Sequence, residues 1–197
     1  MKENLETLVA KMKSSVKKER MKALEKLENA NCCEKISPQV KIEVGFYLAN
    51  HFFMRGVRER ERIAKFLDAW FSNEPHSKLS QRLLSLIMEE TNENIRNNLM
   101  AAAINTMPPE RLIQHLQIPT KDRLCQDYEL LMLVEAIERR LKDDSFTEKQ
   151  IDELIEALKV AQMYILPHIS KPFLWHLENI LERAKLLKLK IMRGSYF

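Results

Sequence analysis

The sequence predicts an all-α protein built from stacked helix pairs, about ten helices in 197 residues, with the longer helices at the C-terminal end. Two observations predict it. Apolar residues recur at three- and four-residue spacing along the whole chain, which places them on one side of a helix. Only three glycines occur, and the seven prolines fall mostly between the periodic segments, so few residues are left for the turns that a sheet requires. Apolar residues make up 45% and charged residues 30%, a balance that folds rather than stays disordered.

The elements follow in order. Leu5, Leu8, Val9 and Met12 mark a first helix over about 4–13, and Ala23, Leu24 and Leu27 a second over about 16–29. Ser37 can accept a backbone hydrogen bond at the start of the third, and Pro38 fits its first position. That helix carries Val40, Val44, Tyr47, Leu48 and His51, and is expected to end near Gly56 in a left-handed cap. Helices four to six are expected over about 57–71, 77–90 and 93–106. Pro108 and Pro109 break the pattern, since two consecutive prolines cannot continue a helix. A short seventh helix over about 110–117 precedes a long eighth from Thr120 to about 142. Thr147 with Gln150 three residues on forms a capping box for the ninth, about 148–166. Pro167 and Pro172 bracket the last connection, and the tenth helix extends to about Met192.

Arg20, Arg60 and Arg96 share a register. Three residues after each come Ala23, Ile63 and Leu99; four after come Leu24, Ala64 and Met100; seven after come Leu27, Leu67 and Ala103. Each arginine therefore lies on the apolar side of its helix. Their separations of 40 and 36 residues fall in or near the period of helix-pair repeats. In ENIRNNLMAAAIN, and more loosely in KKERMKALEKL and RERERIAKFL, the chain resembles HEAT-type and armadillo-type repeats over about 16–106. The resemblance implies an α-α superhelix in which Arg20, Arg60 and Arg96 bond carbonyls or carboxylates of the neighbouring repeat. The aspartate common in the turn before that arginine is missing from all three copies. The period fades after about residue 110, so a single domain is expected with repeat-like pairs over 1–118 and three longer helices over 119–197 packed on them.

Charge is uneven along the C-terminal third. Between Asp127 and Glu156 ten acidic residues face four basic ones, and from Val160 to the end six basic residues face two acidic ones. Either the two halves dock on one another or they form separate binding faces. The most basic short run, FMRGVRERERIAKF, offers Arg55, Arg58, Arg62 and Lys65 as a phosphate- or acid-binding face, with Lys185 and Lys188 of the last helix as a second basic group. Glu59 and Glu61 interleave with the first group, as on a solvated face with local ion pairs. Phe46, Tyr47, Phe52 and Phe53 are expected to fill core.

Several chemistries lack their residues in this sequence. His51, His76, His115, His168 and His176 are dispersed without a metal-ligand spacing, and no metal or cofactor is expected. The glycine-rich phosphate loop and the nucleophile elbow both need glycines this chain does not have. For an enzyme reading, His51, Glu43 and Tyr47, on neighbouring turns, are the first grouping to consider. Cys32, Cys33 and Cys125 form no C-x-x-C pair, which suits a reducing compartment. The first residues, MKENLETLVAKMK, carry charge throughout, unlike a secretory signal, and the most apolar stretch is too short to span a bilayer. A cytoplasmic, non-catalytic scaffold or adaptor binding a protein partner is the expectation. Nucleic-acid binding through the basic faces and an enzyme without a known motif are the alternatives.

Overall fold

The computed structural model describes residues 5–31, 36–71, 74–143, 146–165 and 171–194. Among them are ten α-helices and no strand. They are α1 (Leu5–Met12), α2 (Lys17–Asn31), α3 (Pro38–Asn50), α4 (Val57–Trp70), α5 (Ser77–Glu89), α6 (Glu93–Asn105), α7 (Pro109–Leu116), α8 (Gln126–Lys142), α9 (Glu148–Ile165) and α10 (Lys171–Gly194). The longest is the last, at 24 residues. Short 3-10 turns at Phe52–Met54 and Thr120–Asp122 precede α4 and α8. The chain divides into two compact units, residues 1–106 and 107–197. The division falls at Thr106, ahead of α7.

In the first unit, α1 packs on α2, α3 on α4 and α5 on α6. The second helices of these pairs also pack on one another, α2 on α4 and α4 on α6, while α3 packs on α5. This is a stack of helix pairs in two layers, the arrangement the shared arginine register predicts. The nine apolar residues in that register, from Ala23 to Ala103, are all buried. The interior of α6 is lined by Ala101, Ala102 and Ala103, all buried, and these small side chains let α4 and α5 approach it closely. Gly45 serves a similar purpose in α3: an added Cβ would lie 2.7 Å from the ring of Phe71.

In the second unit, α7 packs on α8 and α9, and α10 on α8 and α9. The capping box at the start of α9 is formed. The Thr147 amide donates to Gln150 Oε1 at 2.9 Å, and the Gln150 amide donates to Thr147 Oγ1 at 3.3 Å. The acidic and basic halves of this region meet through named pairs. Arg183 of α10 reaches Glu138 of α8 at 2.6 Å, His176 lies 3.4 Å from the same carboxylate, and Lys188 reaches Asp152 of α9 at 2.6 Å.

Two boundaries differ from the sequence pattern. Helix α3 stops at Asn50, and Gly56 does not cap it; Gly56 precedes α4 as its N-cap, with extended φ −69° and ψ 158°. The chain needs a turn there to reverse into α4, and the 3-10 segment supplies it. Helix α8 begins at Gln126 rather than Thr120, after a loop held by buried charges described below. Cys32, Cys33 and His168 lie outside the described residues.

Candidate functional site

Arg20, Arg60 and Arg96 are each the fourth residue of their helix, α2, α4 and α6. Buried Arg20 grips the Glu59 carboxylate with two hydrogen bonds, Nε at 2.7 Å and a terminal nitrogen at 2.9 Å. Its other terminal nitrogen donates to the carbonyls of Ser14 and Ser15 in the turn before α2, at 2.8 and 2.7 Å. Arg60 repeats this one pair further on. It donates to the Arg55 carbonyl in the turn before α4 at 3.0 Å, and its Nε donates to Glu90, the residue that ends α5, at 2.8 Å. Arg96 is half-buried at the equivalent place in α6. Each of the first two arginines thus folds back onto its own turn and forward onto a carboxylate of the next pair. Bonding to the charged forms is reciprocal. The bond from Arg20 and its positive charge outweigh desolvation and hold the Glu59 carboxyl below the ordinary range, while Glu59 raises Arg20. Burial opposes ionisation of Glu90, but the hydrogen bonds and charge of Arg60 and its own local amides prevail, so its carboxyl is also lowered.

These contacts bring the starts of α2, α4 and α6 to one edge of the stack, the edge that carries the turn inside each helix pair. Its surface is unusual. Among the described residues of the first unit the exposed large apolar side chains are Val16, Phe53, Met54, Val57 and Met88, and all five lie in or beside those turns. Phe53 is held against Phe52 edge to face, with centroids 5.4 Å apart, and under the guanidinium of Arg60 at 5.7 Å. A cavity of about 10 Å³ lies among Arg20, Tyr47, His51, Arg55 and Glu59, room for about one water molecule. His51 stacks on Tyr47 and bonds its carbonyl at 2.8 Å, whereas Glu43 is exposed and bonded to Gln39, away from this cavity.

The basic residues named from the sequence divide between the units, and most are paired with carboxylates. Arg55 is half-buried, 3.7 Å from Glu59. Arg62 turns to Glu28 of α2, joining the two helices, and Lys65 pairs with Glu61 at 2.8 Å. Only Arg58 of that group is exposed without an ion pair among the described residues. In the second unit Lys185 pairs with Glu182 at 2.6 Å and Lys188 with Asp152. Glu59 itself departs from the sequence expectation of a solvated residue: its side chain is 3% exposed. The signal was present, since Ile63 and Phe66 follow it by four and seven residues and place it on the buried stripe.

A second buried cluster, which the sequence pattern does not single out, fixes the start of α8. Glu129 accepts from Arg123 at 3.4 Å, lies 3.3 Å from His115 Nδ1, and accepts from the amides of Leu124 and Cys125 at 3.0 and 3.4 Å. Arg123 also donates to the Leu116 carbonyl at 3.1 Å. Burial works against the charge on Glu129, but the His115 bond and the Arg123 charge outweigh it and lower its carboxyl pKa. The adjacent Gln126 sits at φ 42°, a left-handed conformation that costs a side-chain residue energy and that these bonds stabilise. The carboxylate is used fully in holding the loop.

Among the described residues no group of His, Cys, Asp and Glu has the arrangement to hold a metal ion, and no helix is long and apolar enough to cross a membrane. Comparison with known proteins finds no matching family model, no similar curated protein and no similar solved structure.

Proposed function

We propose that the protein is a non-catalytic scaffold or adaptor, a HEAT-like stack of helix pairs whose first unit binds a protein partner along its turn edge. The observation that supports this most is the gathering of Val16, Phe53, Met54, Val57 and Met88 on one edge. Single exposed apolar residues are ordinary on a surface, but a run of them confined to one edge marks a place where another molecule covers them. The arginine–glutamate bonds beneath support the same reading, because they fix neighbouring pairs and so present the edge as one preformed surface. Nucleic-acid binding is the weaker reading, since five of the six basic side chains proposed for it are already paired with carboxylates.

The test is affinity purification from nuclease-treated extract, with the wild-type chain, Met54→Ser/Val57→Ser, and Leu131→Ser in the second unit as control. The edge variant should lose specific proteins that the wild type and control retain. Identical sets from all three, or sets lost on nuclease treatment alone, would count against the proposal.

A further inference from the structure

We infer that the partner presents an acidic amphipathic segment to this edge, its apolar side chains seated on Phe53, Met54 and Val57 and its carboxylates on Lys17, Lys18 and Arg58. The inference rests on the protein-binding reading above and names the chemistry of what is bound. Lys13, Lys17, Lys18 and Arg58 are exposed at the first two turns, and the exposed carboxylate among them is Glu19, which already receives the Ser14 hydroxyl. Beneath, Arg20 and Arg55 share the single carboxylate Glu59, which leaves a further positive charge. Lys17 lies close enough to Glu59 to act on its ionisation, and Lys13 stands over the ring of Tyr47 at 5.4 Å from its centroid, so these two cations lie beside the Arg20–Glu59 pair. Helices α2 and α4 both start here, and their N-terminal ends add positive potential. The first two turns of the edge, apolar and positive, select their complement: apolar side chains interspersed with Asp and Glu.

The apolar residues also indicate a solid partner rather than a lipid surface. Met54 is 77% exposed, but Val57 and Val16 are each 51% and Phe53 40%. Val16, Phe53 and Val57 are partly covered, and Phe53 is held in place by Phe52 and Arg60 as a rigid aromatic anchor against which a shaped surface packs.

The test is selection from a display library of random short peptides on the full-length wild-type chain. Enriched peptides are then titrated by fluorescence anisotropy against the wild type, Met54→Ser/Val57→Ser and Arg58→Glu. All three positions are exposed, and unchanged thermal unfolding of the variants confirms folding. Enriched peptides should combine Phe, Leu or Trp with Asp and Glu, and should bind both variants at least about ten-fold more weakly. Peptides that bind wild type and variants equally would overturn this surface while leaving protein binding elsewhere intact. Peptides without acidic residues, or no enrichment, would overturn the acidic-segment inference. Sedimentation with phosphatidylserine–phosphatidylcholine vesicles is the remaining arm: wild-type binding that the two variants lose would overturn the inference in favour of a lipid surface.

Discussion

Arg20 and Glu59 are 39 residues apart in sequence and joined by two hydrogen bonds in the interior. Taking one partner away leaves the other charge buried and unpaired, which costs about 3 kcal/mol, whereas replacing both with apolar residues recovers much of the loss. Glu59→Gln should therefore shift the urea midpoint strongly, and Arg20→Met/Glu59→Met should shift it less than the sum of the single changes. The pH dependence follows from the same groups. Glu59, Glu90 and Glu129 all have folded-state carboxyl pKa values below the ordinary one, so each binds a proton more readily in the unfolded chain. Their stabilisation is complete above the unfolded value near 4.5 and is lost as pH falls through the lower folded values. Unfolding free energy measured from pH 6 downward should decline below about pH 4.5, and less steeply in Glu59→Gln than in the wild type. The arginine register was legible in the sequence because periodicity places a residue on a helix face. The partners were not, because choosing Glu59 and Glu90 among many carboxylates requires knowing which helix lies alongside.

At the scale of elements, α3 and α5 approach closely enough that Gly45 has no room for a side chain, while Gly56 has nothing within 4 Å of an added Cβ. Gly45→Ala should destabilise by about 1–3 kcal/mol despite the better helix propensity of alanine, because the Phe71 ring must move. Gly56→Ser should be neutral or stabilise by a few tenths of a kcal/mol, since serine caps the start of α4 without strain at φ −69°. Thermal melts of the two variants separate these effects. Helix existence was readable throughout the described chain, and so was the capping box of Thr147 and Gln150. The turn after α3 was misjudged because a glycine near a helix end suits a C-cap by composition, and only the backbone shows it starting the next helix. The loop before α8 was read as helix for a related reason. Its conformation depends on buried Glu129 and Arg123, and tertiary bonds of that kind override local pattern.

At the scale of the molecule, the chain forms two compact units, the first a stack of pairs and the second four helices in which acidic and basic segments meet through ion pairs. Residues 1–106 expressed alone should unfold cooperatively by circular dichroism, since the first unit holds its own core and its own arginine–glutamate pairs. The proposed binding edge was the least legible part. Met54, Val57 and Met88 are indistinguishable from core residues in a linear pattern, and they become a surface feature only when the three turns are brought together. Photo-crosslinking in cells probes the edge itself, with a benzophenone amino acid at position 54, 88 or, as control, 163, an exposed site in the second unit. Crosslinks from 54 and 88 to a common protein, absent from 163, are the predicted result. Crosslinks from 163 alone, or none from either edge position, would contradict the claim that the turn edge is where this protein meets its partner.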